Sequence, residues 1–334
     1  MKRYALLIIA LLAAFAFSIL VGSQAIPASR ILQALSSGDG DPVIRQVILQ
    51  IRLPRILLAA LAGASLSIAG ASFQSLLRNP LADPYILGVS SGAAMGSVAS
   101  IALFGSRSPL VMGLCAFLAS SVAIGIVYFL SARRGAEPDP DRMLLVGMAI
   151  SSFAASGLIL FLGRSAGNDA RTILHWLIGD VSGRRLAEIG IFVPQILGLI
   201  IALFISSHRF NLLSLDSDVA ASLGLNVRNQ RRTGYLLASF LTSSVVSLSG
   251  SIGFVGLVVP HLGRMLFSSD CRVLFPVCGA LGAVLLMSAD AAGRVIFAPV
   301  EVPVGVITAL LGSPVFVYIL YVRRRAAFRE PTGG

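Results

Sequence analysis

Residues 56–77 read Ile-Leu-Leu-Ala-Ala-Leu-Ala-Gly-Ala-Ser-Leu-Ser-Ile-Ala-Gly-Ala-Ser-Phe-Gln-Ser-Leu-Leu, without a single charge. A helix of that length rises about 33 Å, enough to cross ~30 Å of hydrocarbon. Ala59, Gly63, Ser67, Ala71 and Ser75 recur every four residues along it. Such a stripe of small side chains lets helix backbones approach closely in lipid, where packing rather than hydrophobicity drives association. Gly88, Gly92, Gly96 and Ser100 repeat the pattern. The stretch reads as a membrane helix packed tightly on its neighbours.

The remainder of the chain agrees with it. Of 334 residues 56% are hydrophobic and 12% charged, and the mean hydropathy is +0.88. Those values exclude a soluble domain, a collagen, a disordered chain and a secreted disulfide scaffold. Further apolar segments lie at 4–22, 85–105, 109–132, 143–163, 189–207, 233–250, 252–267, 273–293 and 303–322. Together they predict an all-α integral membrane protein of about ten transmembrane helices, a single domain over 1–334. Gly-Ser-Gln-Ala (22–25) could pass for a signal-peptidase site, but the preceding apolar core exceeds the ~7–15 residues of a signal segment, so 4–22 is kept as helix one. Ser-Gly-Ser-Ile-Gly (249–253) splits 233–267 into two short apolar pieces, a pattern that accompanies helices stopping short of the full bilayer.

The net charge of +11 suggests a polyanion binder until the bases are sorted. Of 26 basic residues only Lys2 is a lysine. A P-loop of the form GxxxxGK[ST] needs a lysine at its turn, so the chain is no P-loop ATPase. An even helix count puts both termini on one side, and Lys2-Arg3 and Arg323-Arg324-Arg325 assign that side to the cytoplasm. Most of the outward arginines then fall in two longer segments, 23–55 and 164–188. Cys115, Cys271 and Cys278 imply neither a disulfide framework nor a metal site.

Three kinds of chemistry are testable. Gly-Val-Ser-Ser-Gly (88–92) matches GxSxG, which raises an intramembrane serine hydrolase using Ser90 as the alternative. That motif requires a strand-to-helix elbow, and a glycine-every-four helix face speaks for packing. His175, His208 and His261 belong to no HExxH pattern, and His175-Trp176 suits an interfacial pair. A secondary carrier needs ionisable coupling groups within its spans. The spans hold almost no acids; Asp290 is the main exception, with Arg294 four residues later as its ion-pair partner. Energy must then enter from another polypeptide. Segment 214–226 offers it a surface: Asp216 or Ser217 caps a short helix, Val219, Ala220 and Leu223 make an apolar side, and Gly224 ends it.

Several strings, in order and across nearly the whole chain, resemble the permeases of type II ATP-binding-cassette (ABC) importers for iron chelates, haem and cobalamin. They are Arg-Leu-Pro-Arg (52–55), Leu-Ala-Gly-Ala-Ser-Leu-Ser-Ile-Ala-Gly-Ala-Ser-Phe-Gln (61–74), Arg-Asn-Pro-Leu-Ala-Asp-Pro (78–84), Ile-Leu-Gly-Val-Ser-Ser-Gly-Ala (86–93), Ala-Ser-Leu-Gly (221–224), Gly-Phe-Val-Gly-Leu-Val-Val-Pro-His-Leu-Gly-Arg (253–264), Ala289-Asp290 with Arg294, and Glu-Val-Pro-Val-Gly-Val-Ile-Thr (301–308).

The resemblance implies the type II ABC importer permease fold and a transport subunit that is not itself an enzyme. It implies a homodimer or related heterodimer with the path on its axis, in a bacterial or archaeal cytoplasmic membrane, and a periplasmic or lipid-anchored substrate-binding protein outside. Two cytosolic ATPase subunits would bind ATP and Mg, so this chain itself needs no cofactor or metal. By the same resemblance, Arg52, Arg55 and Arg294 receive acidic residues of the binding protein, a role suited to guanidinium forks. Ala220, Ala221, Leu223 and Gly224, within the coupling segment about 214–226, face the ATPase. Asn79 and Leu81 form a cytoplasmic gate, while Pro-Asp-Pro-Asp-Arg (138–142) departs from the family pattern at a second gate region and is given no role. An Fe(III)-siderophore is the first cargo expected, with haem or cobalamin next.

Overall fold

A computed structural model describes residues 2–22, 26–36, 41–105, 108–132, 140–164, 173–174, 176–215 and 217–327 of the chain. Pro138, Asp139, His175 and Asp216 lie outside the described residues.

The described residues form helices and no strand. In chain order the α-helices are α1 Lys2–Leu20, α2 Ala28–Ser36, α3 Pro42–Gln46, α4 Leu53–Leu76, α5 Val89–Phe104, α6 Pro109–Ser131, α7 Pro140–Arg164, α8 Leu186–Ile205, α9 Ser207–Leu213, α10 Ser217–Ser222, α11 Val227–Ser249, α12 Val255–Leu266, α13 Cys271–Val295 and α14 Val304–Ala327. A π-helical turn, Val47–Arg52, leads directly into α4, and a 3-10 turn, Pro84–Leu87, precedes α5. Each of the ten apolar segments read from the sequence coincides with one of these helices. Among the described residues six helices are long and apolar enough to cross a membrane, with α4 and its lead-in at Pro42–Leu76 as one of them.

α4 is the axis of the bundle, and its stripe explains how. Ala59, Gly63, Ser67 and Ala71 are buried, and the Ser67 hydroxyl is returned to the Gly63 carbonyl at 2.7 Å. A Cβ built on Gly63 would fall on the Gly282 carbonyl of α13, and one built on Gly70 on the Gly256 carbonyl of α12. α4 therefore touches two neighbours backbone to backbone. The second stripe works one turn later than its spacing suggests. Gly92 and Gly96 abut α6 at Ala123 and Cys115, whereas Gly88 lies in the left-handed turn between Pro84–Leu87 and α5.

α11 is the segment whose hydropathy misleads. It is too polar to rank among the six candidate spans, yet Ser239, Thr242, Ser243, Ser244, Ser247 and Ser249 are all buried. The helix packs among α4, α6 and α8, and the hydroxyls of Thr242, Ser244, Ser247 and Ser249 turn back on their own helix. Thr242 donates to the Ala238 carbonyl at 2.9 Å, Ser244 to Phe240 at 2.7 Å and Ser249 to Val245 at 3.0 Å. Hydroxyls satisfied in this way let a serine-rich helix sit inside a membrane bundle.

The break at 249–253 is real. α12 has 12 residues, about 18 Å against the ~30 Å of hydrocarbon. The irregular backbone is held by other elements: the Ile252 amide donates to the Tyr85 hydroxyl at 2.9 Å, and the Asp180 amide to the Ser249 carbonyl at 2.9 Å. At the far end of α12 the Arg3 guanidinium donates to the Leu266 carbonyl at 2.8 Å. The start of α1 thus shares a pole with the end of α12, while α14 sets out from the opposite pole.

Candidate functional site

Two poles of the bundle carry the residues of interest. At the first, α1, α4 and α13 bring their ends together beside the start of α14. α1 ends there with carbonyls that lack intrahelical partners and with the negative end of its dipole. Two arginines from other helices meet them. Arg52 Nη1 donates to the Ile19 carbonyl at 2.6 Å, and Arg294 donates to the Val21 and Ser18 carbonyls at 2.8 and 3.0 Å. Gly22 leaves room for the first of these, since a Cβ there would come within 2.6 Å of Arg52 Nη2.

Asp290 is the hub of the cluster. Its carboxylate receives Arg55 Nε at 2.7 Å, and Arg294 Nε lies 3.2 Å from its other oxygen. The latter approach is close enough for Coulomb attraction but is not aligned as a hydrogen bond. Arg55 Nη1 also meets Glu301 Oε2 at 2.5 Å, so this arginine bridges a carboxylate that is 1% exposed and one that is 37% exposed. Three guanidiniums against two carboxylates leave one net positive charge in this cluster.

Arg52, Arg55 and Arg294 are 5%, 6% and 2% exposed in the single chain. Expected as outward forks, they are instead brought together as the buried floor of a cavity of about 530 Å³, also lined by Arg30, Asp41 and Glu301. Arg30 and Asp41 are exposed. The Asp290–Arg294 pair anticipated from its i, i+4 spacing is present; Arg55 and Glu301, its further members, come from distant parts of the chain. Glu301 and Arg30 were missed as site residues. The only sequence signal for either is that Glu301 opens the string 301–308.

At the opposite pole α10 forms where the caps and apolar positions predict. Gly224 takes φ +82°; its amide donates to the Ala221 carbonyl at 2.9 Å and the Leu225 amide to Ala220 at 3.1 Å. These paired bonds are a Schellman stop, which favours glycine at the left-handed position. Ala220 turns inward and is fully buried, in contrast to its expected outward role, because it lies on the side of α10 that packs against the bundle. Val219, Ala221, Leu223 and Gly224 carry the exposed surface. Asn79 and Leu81 lie at the same pole. Asn79 Oδ1 accepts the Leu81 amide at 2.9 Å, closing an Asx turn after α4, and Leu81 is half-buried. Asp270, nearby, is held well below the usual carboxylate range by the Arg272 side chain and then by Asn211.

Ser90 donates to the Ser251 hydroxyl at 2.8 Å. A serine is not a general base, so this arrangement supplies no activated nucleophile. The contact instead joins the start of α5 to the break between α11 and α12.

A bundle of apolar helices with backbone-to-backbone seams, a broken helix pair and charged clusters at its poles is a polytopic membrane protein. Residues 9–322 match the FecCD transport family, and the chain belongs to that family. It is 41% identical over 294 residues to an uncharacterized ABC transporter permease protein of Bacillus subtilis, covering 87% of this chain and 83% of the relative. It is 39% identical over 297 residues to the cobalamin import system permease protein of Halobacterium salinarum, covering 88% and 79%. Other relatives carry the names of iron-uptake and Fe(3+)-citrate import permeases of B. subtilis. A chain of a metal-chelate type ABC transporter solved in an inward-facing conformation superposes with a TM-score of 0.84 at 31% identity, over 96% of this chain and 98% of that one. The fold is that of a type II ABC importer permease.

Proposed function

We propose that the chain is the membrane subunit of an ATP-driven importer that carries an Fe(III)-siderophore into the cytoplasm. The observation that carries this reading is the family match over nearly the whole chain together with the metal-chelate fold. Cobalamin is the second cargo, on the strength of the archaeal relative, and haem the third. Two copies of the chain enclose the path, and the Asn79 pole, with both termini, faces the cytoplasm. An ATPase dimer binding ATP and Mg engages Ala221, Leu223 and Gly224 there. Asn79 and Leu81 close the inner mouth.

The Arg55 pole faces outward and receives the binding protein. Arg52, Arg55 and Arg294 set the positive potential of the cavity from below, and a carboxylate of the binding protein enters beside Glu301. Glu301 is then an internal competitor for Arg55. Replacing it by glutamine removes a like charge from the path of the incoming carboxylate, and Glu301→Gln is expected to tighten docking about three- to tenfold at low salt, with the gain shrinking as ionic strength rises. Surface plasmon resonance of the purified complex with its binding protein reads this; equal or weaker affinity would remove Glu301 from the dock.

The cargo is tested by reconstituting the permease with its ATPase in proteoliposomes and supplying binding proteins loaded with ferric siderophores, haem or cobalamin. Stimulated ATP hydrolysis and uptake with the ferric siderophore alone are expected. Uptake of cobalamin or haem instead would reassign the cargo and leave the class of machine intact.

A further inference from the structure

Arg78 sits between the end of α4 and the Asn79–Leu81 turn with φ +47°, one of two non-glycine residues in the left-handed region among the described residues. An L-residue with a β-carbon resists that conformation, and a glycine or asparagine would occupy it more cheaply. The side chain supplies a reason for arginine. Arg78 Nε donates to the Leu213 carbonyl at 2.9 Å, and its Nη2 donates to the Leu215 carbonyl. Leu213 is the last residue of α9 and Leu215 lies two residues before α10. A cation forked onto a helix C-terminus from another element meets orphan carbonyls and the negative dipole end together.

The backbone continues the connection. On its C-terminal side Arg78 runs straight into the Asn79 turn, where the Leu81 amide meets Asn79 Oδ1 at 2.9 Å and the Ala82 amide meets the Asn79 carbonyl at 3.0 Å. Asp83 then accepts the Tyr85 amide at 2.8 Å, and the Tyr85 hydroxyl accepts the Ile252 amide at 2.9 Å. One side chain therefore joins the segment leading into α10 to a hydrogen-bonded turn that ends at the break between α11 and α12. Earlier in α9, Asn211 donates to Asp270 Oδ1 at 2.7 Å and accepts the Cys271 amide at 2.7 Å. That fastens the same short helix to the start of α13. α9 is thus tied to α13 through Asn211 and to the Asn79 turn through Arg78.

From this geometry we infer that Arg78 is a positioning residue that transmits displacement of α10 to the Asn79–Leu81 turn. The inference rests on the proposed coupling role of α10 and gating role of Leu81. It requires the guanidinium fork and not merely positive charge, because two carbonyls at different places on the 213–215 segment must be held at once.

The test is independent of cargo. In a background with Cys115, Cys271 and Cys278 replaced by serine, Leu81→Cys is labelled with a hydrophilic maleimide in proteoliposomes containing the permease and its ATPase, with and without ATP plus vanadate. Nucleotide is expected to change the labelling rate at least fivefold when Arg78 is present. Arg78→Gly removes the fork and relieves the backbone, and Arg78→Lys keeps the charge; each should reduce that response below twofold while the assembled complex continues to hydrolyse ATP. A fivefold response that survives in Arg78→Gly overturns the link alone. Loss of ATPase assembly or hydrolysis in both variants also overturns it, by making Arg78 a docking or folding residue. A parent whose labelling ignores nucleotide removes the gate reading and the link together.

Discussion

Asp290→Ala is expected to cost the permease most of its folded yield, with a loss of about 3–5 kcal/mol in the stability of the helix cluster at the Arg55 pole. The carboxylate is 1% exposed and stands between Arg55 and Arg294. Its removal leaves Arg294 with backbone carbonyls alone among the partners described above, and Arg55 with Glu301 at the cavity lip. Two buried guanidiniums then face each other without the intervening anion, a larger penalty than the net worth of the intact cluster. Asp290→Asn keeps the shape and one acceptor and should fall between. Combining Asp290→Ala with Arg294→Met should cost less than the sum of the single changes, because the second substitution removes a charge the first has stranded. Thermal unfolding followed by size exclusion in detergent measures all three. A single Asp290→Ala protein with the parent's melting temperature and yield would show the cluster to be ornamental.

This cluster marks the limit of what sequence could tell. Most of the helices were legible because a span advertises itself locally, by some twenty apolar residues or a small-residue period. The Asp290–Arg294 pair was legible for the same reason, since its spacing is fixed by one helix. The partners of Arg52 are not. They are carbonyls 32 and 33 residues away, offered only because α1 happens to stop beside α4. A backbone carbonyl has no sequence signature. Arg52 and Arg294 therefore looked like outward forks when, in the single chain, they also finish another helix.

The serine-rich α11 and Ala220 make the converse point. Hydropathy measures a residue against lipid, but α11 meets its neighbours across Ser243 and Ser244: the Ser243 hydroxyl bonds Ser120 and the Phe117 carbonyl of α6, and the Ser244 hydroxyl accepts from Gln195 of α8 while donating to Phe240 of its own helix. Ala220 and Ala221 are chemically identical neighbours in sequence, and a rotation of 100° about α10 sends one into the bundle and leaves the other exposed. Which face is inward depends on the angle at which the helix leaves α9, a tertiary property.

Gly70→Leu should be as damaging as loss of Asp290, by an unrelated route. In lipid no hydrophobic gain is available for bringing two apolar helices together, so the stability of a crossing lies in how closely its backbones fit. The position of a Cβ on Gly70 is already occupied by the Gly256 carbonyl, which is backbone and cannot swing aside as a side-chain tip can. Leucine must push α12 away from α4. The displacement propagates, because α12 also carries Pro84 against Gly256 and Arg264 to Gln74 at 2.6 Å. Overpacking in a filled core costs ~1–3 kcal/mol per site; here the loss of the surrounding seam should raise it above ~4 kcal/mol, the range in which a single substitution decides folding. Gly198→Leu is the control. Gly198 is equally helical, but a Cβ there meets nothing within 4 Å, and its effect should stay within ~0.5 kcal/mol. Insertion of both variants can be checked by membrane fractionation, and packing by the melting temperature of the extracted protein. Equal melting temperatures would mean that the small-residue stripe of α4 marks composition alone; a collapse confined to Gly70→Leu would fix the α4–α12 seam as the contact on which the rest of the bundle, the Asn79 turn included, is assembled.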